Sequence, residues 1–205
     1  MRLATFRRNG ETPRIGLVIQ DGLVDLAEAA PSLPRRMIEL IEGGAGMLDE
    51  VRRVASCGGS ISLDGVQLLA PIPDPPEFLG VGLNYRDHVE EAGLSLPLAP
   101  TVFNKQTSSI VGPFADVVLP RASGQLDYEG ELGFVVGKAG RNLTREEAAA
   151  AIFGYVVAND LSVRDWQFSS PTVTLGKSFD THGPFGPWIV TADDISDARR
   201  LTITT

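Results

Sequence analysis

A single cysteine, Cys57 in Ser-Cys-Gly-Gly, excludes a disulfide framework and any four-cysteine zinc module, and reads as a reduced thiol of a cytoplasmic protein. Basic runs are equally scarce. None exceeds a pair such as Arg7-Arg8 or Arg52-Arg53, against 26 Asp plus Glu and a formal net charge of -8. Phosphate binding needs clustered Lys and Arg, so nucleic acid is excluded as a partner. Long apolar runs are missing as well: the longest, residues 148–158, is broken by Gly154 and falls short of the roughly 18 residues a spanning helix needs, so no membrane partner is expected. The first eight residues carry charge with no apolar block behind them, unlike a signal peptide. The two histidines have no His-x-x-x-His spacing that would suggest zinc. What is left is an ordinary globular composition, 43% hydrophobic and 21% charged. A chain of 205 residues can bury roughly 70% of its unfolded surface.

The 22 glycines and 14 prolines mark many turns between short strands. Residues 3–6, 15–19 and 23–26 are strand-like, with a hairpin signal at Asp21-Gly22, and helical patterns follow at 34–41 and 47–55. The strand-like run 66–70 leads into Pro71-Ile72-Pro73-Asp74-Pro75-Pro76, where four prolines in six residues forbid regular structure and stiffen the chain. The expected organisation is a small N-terminal α+β domain over 1–70, a proline-rich linker at 71–76 and a second domain over 77–205. In the latter, 78–81 reads as a buried strand and 84–92 as a short helix with Asn84 as N-cap and Gly93 past its end. Residues 126–136 read as one alternating strand, with Leu126, Tyr128, Leu132, Phe134 and Val136 on one face and Asp127, Glu129, Glu131 and Val135 on the other. Thr144 and Glu147 match a capping box, and 152–158 returns as a strand.

Several side chains could carry chemistry. Asp127, Glu129 and Glu131 on one face repel one another unless water or a cation neutralises them, and an oxygen-only set suits a hard cation. A solvated outer face is the alternative. Asp160 closes a strand and could converge with that set or cap the next turn. His88 and Glu91 are three apart on the short helix, the spacing of a carboxylate that orients an imidazole base and equally that of an ordinary surface pair. Lys105 and Lys177 lie in apolar or glycine-rich surroundings, where an ammonium could meet an anion or form a salt bridge. His182, in Thr181-His182-Gly183-Pro184, reads as a loop residue. Gly80-Val81-Gly82 is not a dinucleotide fingerprint, because position 85 is Tyr and no adequate helix follows.

In order, Asn84-Tyr85-Arg86-Asp87-His88-Val89-Glu90-Glu91, Asp127-Tyr128-Glu129-Gly130-Glu131-Leu132, residues 159–167 from Asn159-Asp160 to Trp166-Gln167, and Gly176-Lys177-Ser178-Phe179-Asp180 closely resemble the fumarylacetoacetate hydrolase family. The resemblance covers about residues 78–192, and the first module is similar to the small N-terminal domain of bacterial two-domain members. It implies an α+β, β-rich fold whose catalytic domain is a mixed β-roll, and a homodimer. It makes Glu129, Glu131 and Asp160 ligands of Mg2+ or Mn2+, with Ca2+ as a substitute, and leaves Asp127 behind them. It makes His88 and Glu91 a dyad on a mobile lid, with Lys177 beside the developing oxyanion. Arg164, Gln167 and Lys105 would hold a small 2-oxo or 1,3-diketo acid.

The implied chemistry is hydrolytic C-C cleavage. The metal polarises the carbonyl and stabilises the departing enolate, while His88, oriented by Glu91, deprotonates water. Decarboxylation or keto-enol isomerisation uses the same metal-enolate core, and a truncated, non-catalytic relative that binds metal or oxo acid is a further alternative. Residues 201–205 alternate like a strand, whereas family members continue through more strands and a Gly-Thr-Pro loop, so the catalytic domain is expected to be incomplete at its C-terminus.

Overall fold

The computed structural model describes residues 1–55, 60–91 and 93–205. Cys57 and the expected helix end at Ala92 lie outside the described residues. The chain opens with β1 (Arg2–Arg7), β2 (Arg14–Ile19) and β3 (Gly22–Asp25), an antiparallel meander in which Leu3 pairs with Leu17 and Ile19 with Gly22. The turn itself is Gln20-Asp21, one residue earlier than expected, and Gln20 takes the positive φ of 48°. Gly22 begins the next strand, where a Cβ would lie 2.0 Å from Ser60 Oγ and 2.8 Å from the Ile61 carbonyl oxygen. Its glycine therefore serves the close approach of a neighbouring strand.

Helices α1 (Leu26–Ala29), α2 (Met37–Glu42) and α3 (Gly44–Val54) follow, then β4 (Ile61–Ser62) and β5 (Gln67–Leu69). Beyond the prolines come β6 (Leu79–Gly82), α4 (Arg86–Glu91), β7 (Thr101–Asn104), β8 (Ile110–Val111), β9 (Leu126–Asp127) and β10 (Gly130–Val136). The chain continues through α5 (Arg145–Ala150), β11 (Ile152–Asn159), β12 (Ser162–Val163), α6 (Arg164–Gln167), α7 (Thr174–Lys177) and β13 (Gly183–Thr191). The α5 start carries both halves of the expected capping box, Thr144 Oγ1 accepting from Glu147 N and Glu147 from Thr144 N.

One sheet organises these elements, in the order β10-β11-β13-β1-β2-β3-β4, with β5 also on β1 and β8 parallel to β13. It is mixed and β-rich, and it runs across the proline-rich segment, because Arg2 and Leu3 pair with Val190 and Ile189. The larger core cluster draws on both sides of residues 71–76: Leu3, Leu17, Leu40 and Val51 pack with Val156, Phe185 and Ile189. A smaller cluster of Ala4, Phe6, Val18 and Leu23 covers the opposite face. Strand β1 is consequently buried on both sides, which suits its short, mostly apolar centre Leu3-Ala4-Thr5-Phe6.

Three expectations need correction. Residues 126–136 are two strands, β9 paired with β12 and β10 paired with β11, because the chain leaves one sheet for the other at Tyr128-Glu129. In β10 the apolar side faces out, which the alternation alone left open: Phe134 and Val136 are 56% and 61% exposed, as is Val157 beyond them at 65%. The face carrying Glu131 and Val135 turns inward instead, since β11 lays Val156 and Ala158 of that same face against the core. The β6 strand is only partly buried, with Leu79 exposed, because it pairs solely with β7 in a ribbon outside the main sheet. Residues 201–205 form no strand.

Candidate metal centre

The inward turn of β10 decides the electrostatics of the site. Gly130 pairs with Asn159, so Glu129 and Asp160 flank the end of one antiparallel ladder, and the Asp160 amide donates to the Glu129 carbonyl at 2.9 Å. The Asn159 side chain accepts from the Glu129 amide at 3.0 Å. Ligand oxygens of Glu129, Glu131 and Asp160 thereby lie within 4.8 Å of one another, although 31 positions separate the first from the last. Asp160 is buried and both glutamates are partly buried.

Three cations answer these carboxylates. Lys177, at the end of α7, donates from Nζ to Glu129 Oε2 and Asp160 Oδ2, each at 2.7 Å. Lys105, directly after β7, donates to Asp160 Oδ1 at 2.6 Å, to the Leu161 carbonyl at 3.4 Å and to the Lys177 carbonyl. Arg164, at the start of α6, grips Asp127 Oδ2 at 2.6 and 2.9 Å, reaches Glu129 Oε1, and donates to Gln167 Oε1 at 2.9 Å. Ser162 Oγ adds a 3.2 Å bond to Glu129 Oε1.

Among the described residues, no cation is bonded to Glu131. Burial and then the charges of Asp160 and Glu129 push its carboxyl up to about 7. Burial also works against ionised Glu129, but the hydrogen bond and charge of Lys177, with Arg164, hold it below the usual carboxylate range. Lys105 is lowered, because burial outweighs the opposing pull of Asp160. Asp127 is held down chiefly by its hydrogen bond to Arg164. An all-oxygen set in which one carboxyl lacks a bonded counter-charge fits a hard divalent cation.

A pH dependence follows. Since burial and neighbouring charge favour a proton on Glu131, a cation held by this carboxylate would compete with that proton. Affinity for Mn2+ is expected to fall about tenfold per unit as the pH drops below about 7 and to level off above it, as calorimetric titration would show. Conversely, a raised carboxyl pKa means that the ion-free chain loses stability as pH rises from the unfolded value through about 7. Flat affinity across that range would contradict the proton competition.

The remaining expected site residues are distributed unevenly. Gln167 and Arg164 bond each other beside the cluster, and Lys105, 2% exposed, directs its ammonium at protein oxygens. His88 and Glu91 lie exposed on α4, which is anchored by buried Val89, and no hydrogen bond joins them to each other or to the cluster among the described residues. Sequence reasoning overlooked Ser162 and the packing role of Gly176. His182 is the loop residue expected, directly before β13, and its side chain is fully buried, with Nε2 bonded to the Val118 carbonyl at 3.0 Å. Ser162 had one available signal, its position two residues beyond Asp160 on an alternating stretch.

Residues 77–205 match the family model described as fumarylacetoacetate (FAA) hydrolase C-terminal. The chain belongs to the fumarylacetoacetate hydrolase family. It is 43% identical over 209 residues to oxaloacetate tautomerase fahd2, mitochondrial, of Xenopus laevis, covering 99% of this chain and 66% of that protein. Among solved structures, maleylpyruvate hydrolase from Sphingobium sp. SYK-6, in complex with manganese(II) ion and pyruvate, aligns with a TM-score of 0.79 and 31% identity over 96% of this chain and 69% of that one. Fumarylacetoacetate hydrolase from psychrophilic Exiguobacterium antarcticum aligns with a TM-score of 0.77 and 37% identity, over 94% and 67% of the two chains. The present chain thus spans about two thirds of the length of these relatives. Among the described residues, no helix is long and apolar enough to cross a membrane.

Proposed function

We propose that Glu129, Glu131 and Asp160 hold Mg2+ or Mn2+ and that the site interconverts the keto and enol forms of a small 2-oxo acid such as oxaloacetate. The observation that carries this reading is the convergence of three carboxylates with a buried ammonium on two of them. Bound there, the cation would supply Lewis-acid polarisation of the 2-oxo group. Lys177 supplies positive charge for the oxygen that becomes negative as a proton leaves the adjacent carbon. Arg164, braced by Asp127, keeps Glu129 in place, and with Gln167 it offers donors to the substrate carboxylate. His88 moves the proton once α4 approaches the cluster, with Glu91 orienting its ring.

Tautomerisation is favoured over the hydrolysis expected from motif resemblance because it needs no activated water, and because the similarity to a tautomerase extends over 99% of this chain. Hydrolytic C-C cleavage of a 1,3-diketo acid is the second reading, supported by the His88 and Glu91 spacing and the likeness to maleylpyruvate hydrolase. Decay of the ultraviolet absorbance of enol-oxaloacetate, followed with and without Mg2+ or Mn2+, tests the first. Acceleration that requires the ion and leaves the carbon skeleton intact is expected. Release of pyruvate from an acylpyruvate, with no effect on oxaloacetate, would favour the second, and inactivity on both would reject each.

A further inference from the structure

The three cations around the carboxylates are not equivalent. Each of the two carboxylates that Lys177 bridges has one oxygen held by an anchored group and the other held by Lys177. On Glu129, Oε1 takes Arg164 and Ser162, and Arg164 is itself tied to Asp127 and Gln167. On Asp160, Oδ1 takes Lys105, whose ammonium is also bonded to two main-chain carbonyls. The oxygens left over, Glu129 Oε2 and Asp160 Oδ2, are both occupied by the Lys177 ammonium, which has no main-chain acceptor among the described residues. Its backbone carbonyl is meanwhile pinned by Lys105, so the side chain can leave while its origin stays fixed.

We infer that Lys177 is a built-in counter-ion that a divalent cation displaces, and that displacement is what frees its ammonium to bind the anionic oxygen of an oxo acid. This deepens the proposed function and rests on its metal site. A hard cation and an ammonium compete for the same two carboxylate oxygens, and both cannot be close to them at once without strong repulsion. Lys105 stays as the positioning residue, since its carbonyl acceptors are no ligands for exchange. Cation binding then precedes productive substrate binding, because the free ammonium exists only in the loaded site.

The test labels the full chain with an amine-acetylating reagent, with and without Mn2+ and without substrate, and reads each lysine by mass spectrometry. Lys177 should become about tenfold more reactive when the ion binds, while Lys105 stays protected in both states. In parallel, Lys177→Met should bind Mn2+ about tenfold more tightly by paramagnetic resonance titration, as expected when a competitor worth ~1.4 kcal/mol is removed. Lys177→Arg should bind it no more tightly than the unaltered chain. Ion binding that leaves Lys177 as protected as before, or weaker binding by Lys177→Met in a folded protein, overturns the exchange alone. If neither the unaltered chain nor the variant binds Mn2+, the exchange and the proposed function fall together.

Discussion

Replacing Glu129 by Ala is expected to lower ion-dependent turnover of oxaloacetate by about three orders of magnitude, ~4 kcal/mol, the scale a positioned Lewis acid contributes. The size reflects how many partners meet on this one carboxylate. It offers a ligand oxygen, it holds one end of Lys177, and it accepts from Arg164 and Ser162. Its removal leaves the ammonium of Lys177, buried beside Phe103, hydrogen-bonded to Asp160 with only Glu131 of the cluster nearby. Glu129→Gln keeps the volume and one acceptor oxygen, so it serves as a folded comparison and should still lose Mn2+ binding. Turnover that persists in either variant, with unaltered ion affinity, would remove this residue from the ligand set.

Gly176→Ala should be nearly as damaging without touching a charged group. A Cβ at this position would sit 2.2 Å from the Gln167 amide nitrogen and 2.4 Å from its Cα, both main-chain atoms that cannot swing aside. Helices α6 and α7 must separate, and they carry Arg164, Gln167 and Lys177. Overpacking of this kind costs about 1–3 kcal/mol of stability. Because a displacement of about 1 Å in positioning groups can cost about a hundredfold in rate, turnover is expected to drop by that factor while the chain stays folded. Circular dichroism and a thermal melt establish the fold, and steady-state kinetics give the rate. Kinetics unchanged from the parent would mean that α7 does not depend on this close approach.

How far the site could be read without coordinates differs from residue to residue. Residue types and spacing left Glu129, Glu131, Asp160, Lys177, Arg164 and Gln167 as separate candidates, and only the resemblance carried by four ordered motifs implied that they form one constellation. The alternation of 126–136 was visible, but not which of its two faces would be buried. Phe134 and Val136 have the composition of a core face, but the partner strand β11 places Val156 and Ala158 inward, and pairing obliges β10 to match that side. Lys105 stood out by its apolar neighbours, whereas its bonds to Asp160 and to two carbonyls could not be read from them. His182 carried no periodic signal at all, since burial of a loop residue depends on what folds over it.

By itself the amino-acid order carried the resemblance to the family, the all-oxygen character of the acidic cluster and the positions of most strands, since these rest on ordered motifs, local pattern and side-chain chemistry. Only the tertiary structure decided which face of β10 turns inward, which oxygen of each carboxylate meets which cation, and that Glu131 is left without one. Those outcomes depend on strand register and on contacts between residues far apart in the chain, such as that of Lys105 with the Lys177 carbonyl, 72 positions on. Local pattern carries no information about such contacts, because their energy exists only once the chain has closed around them.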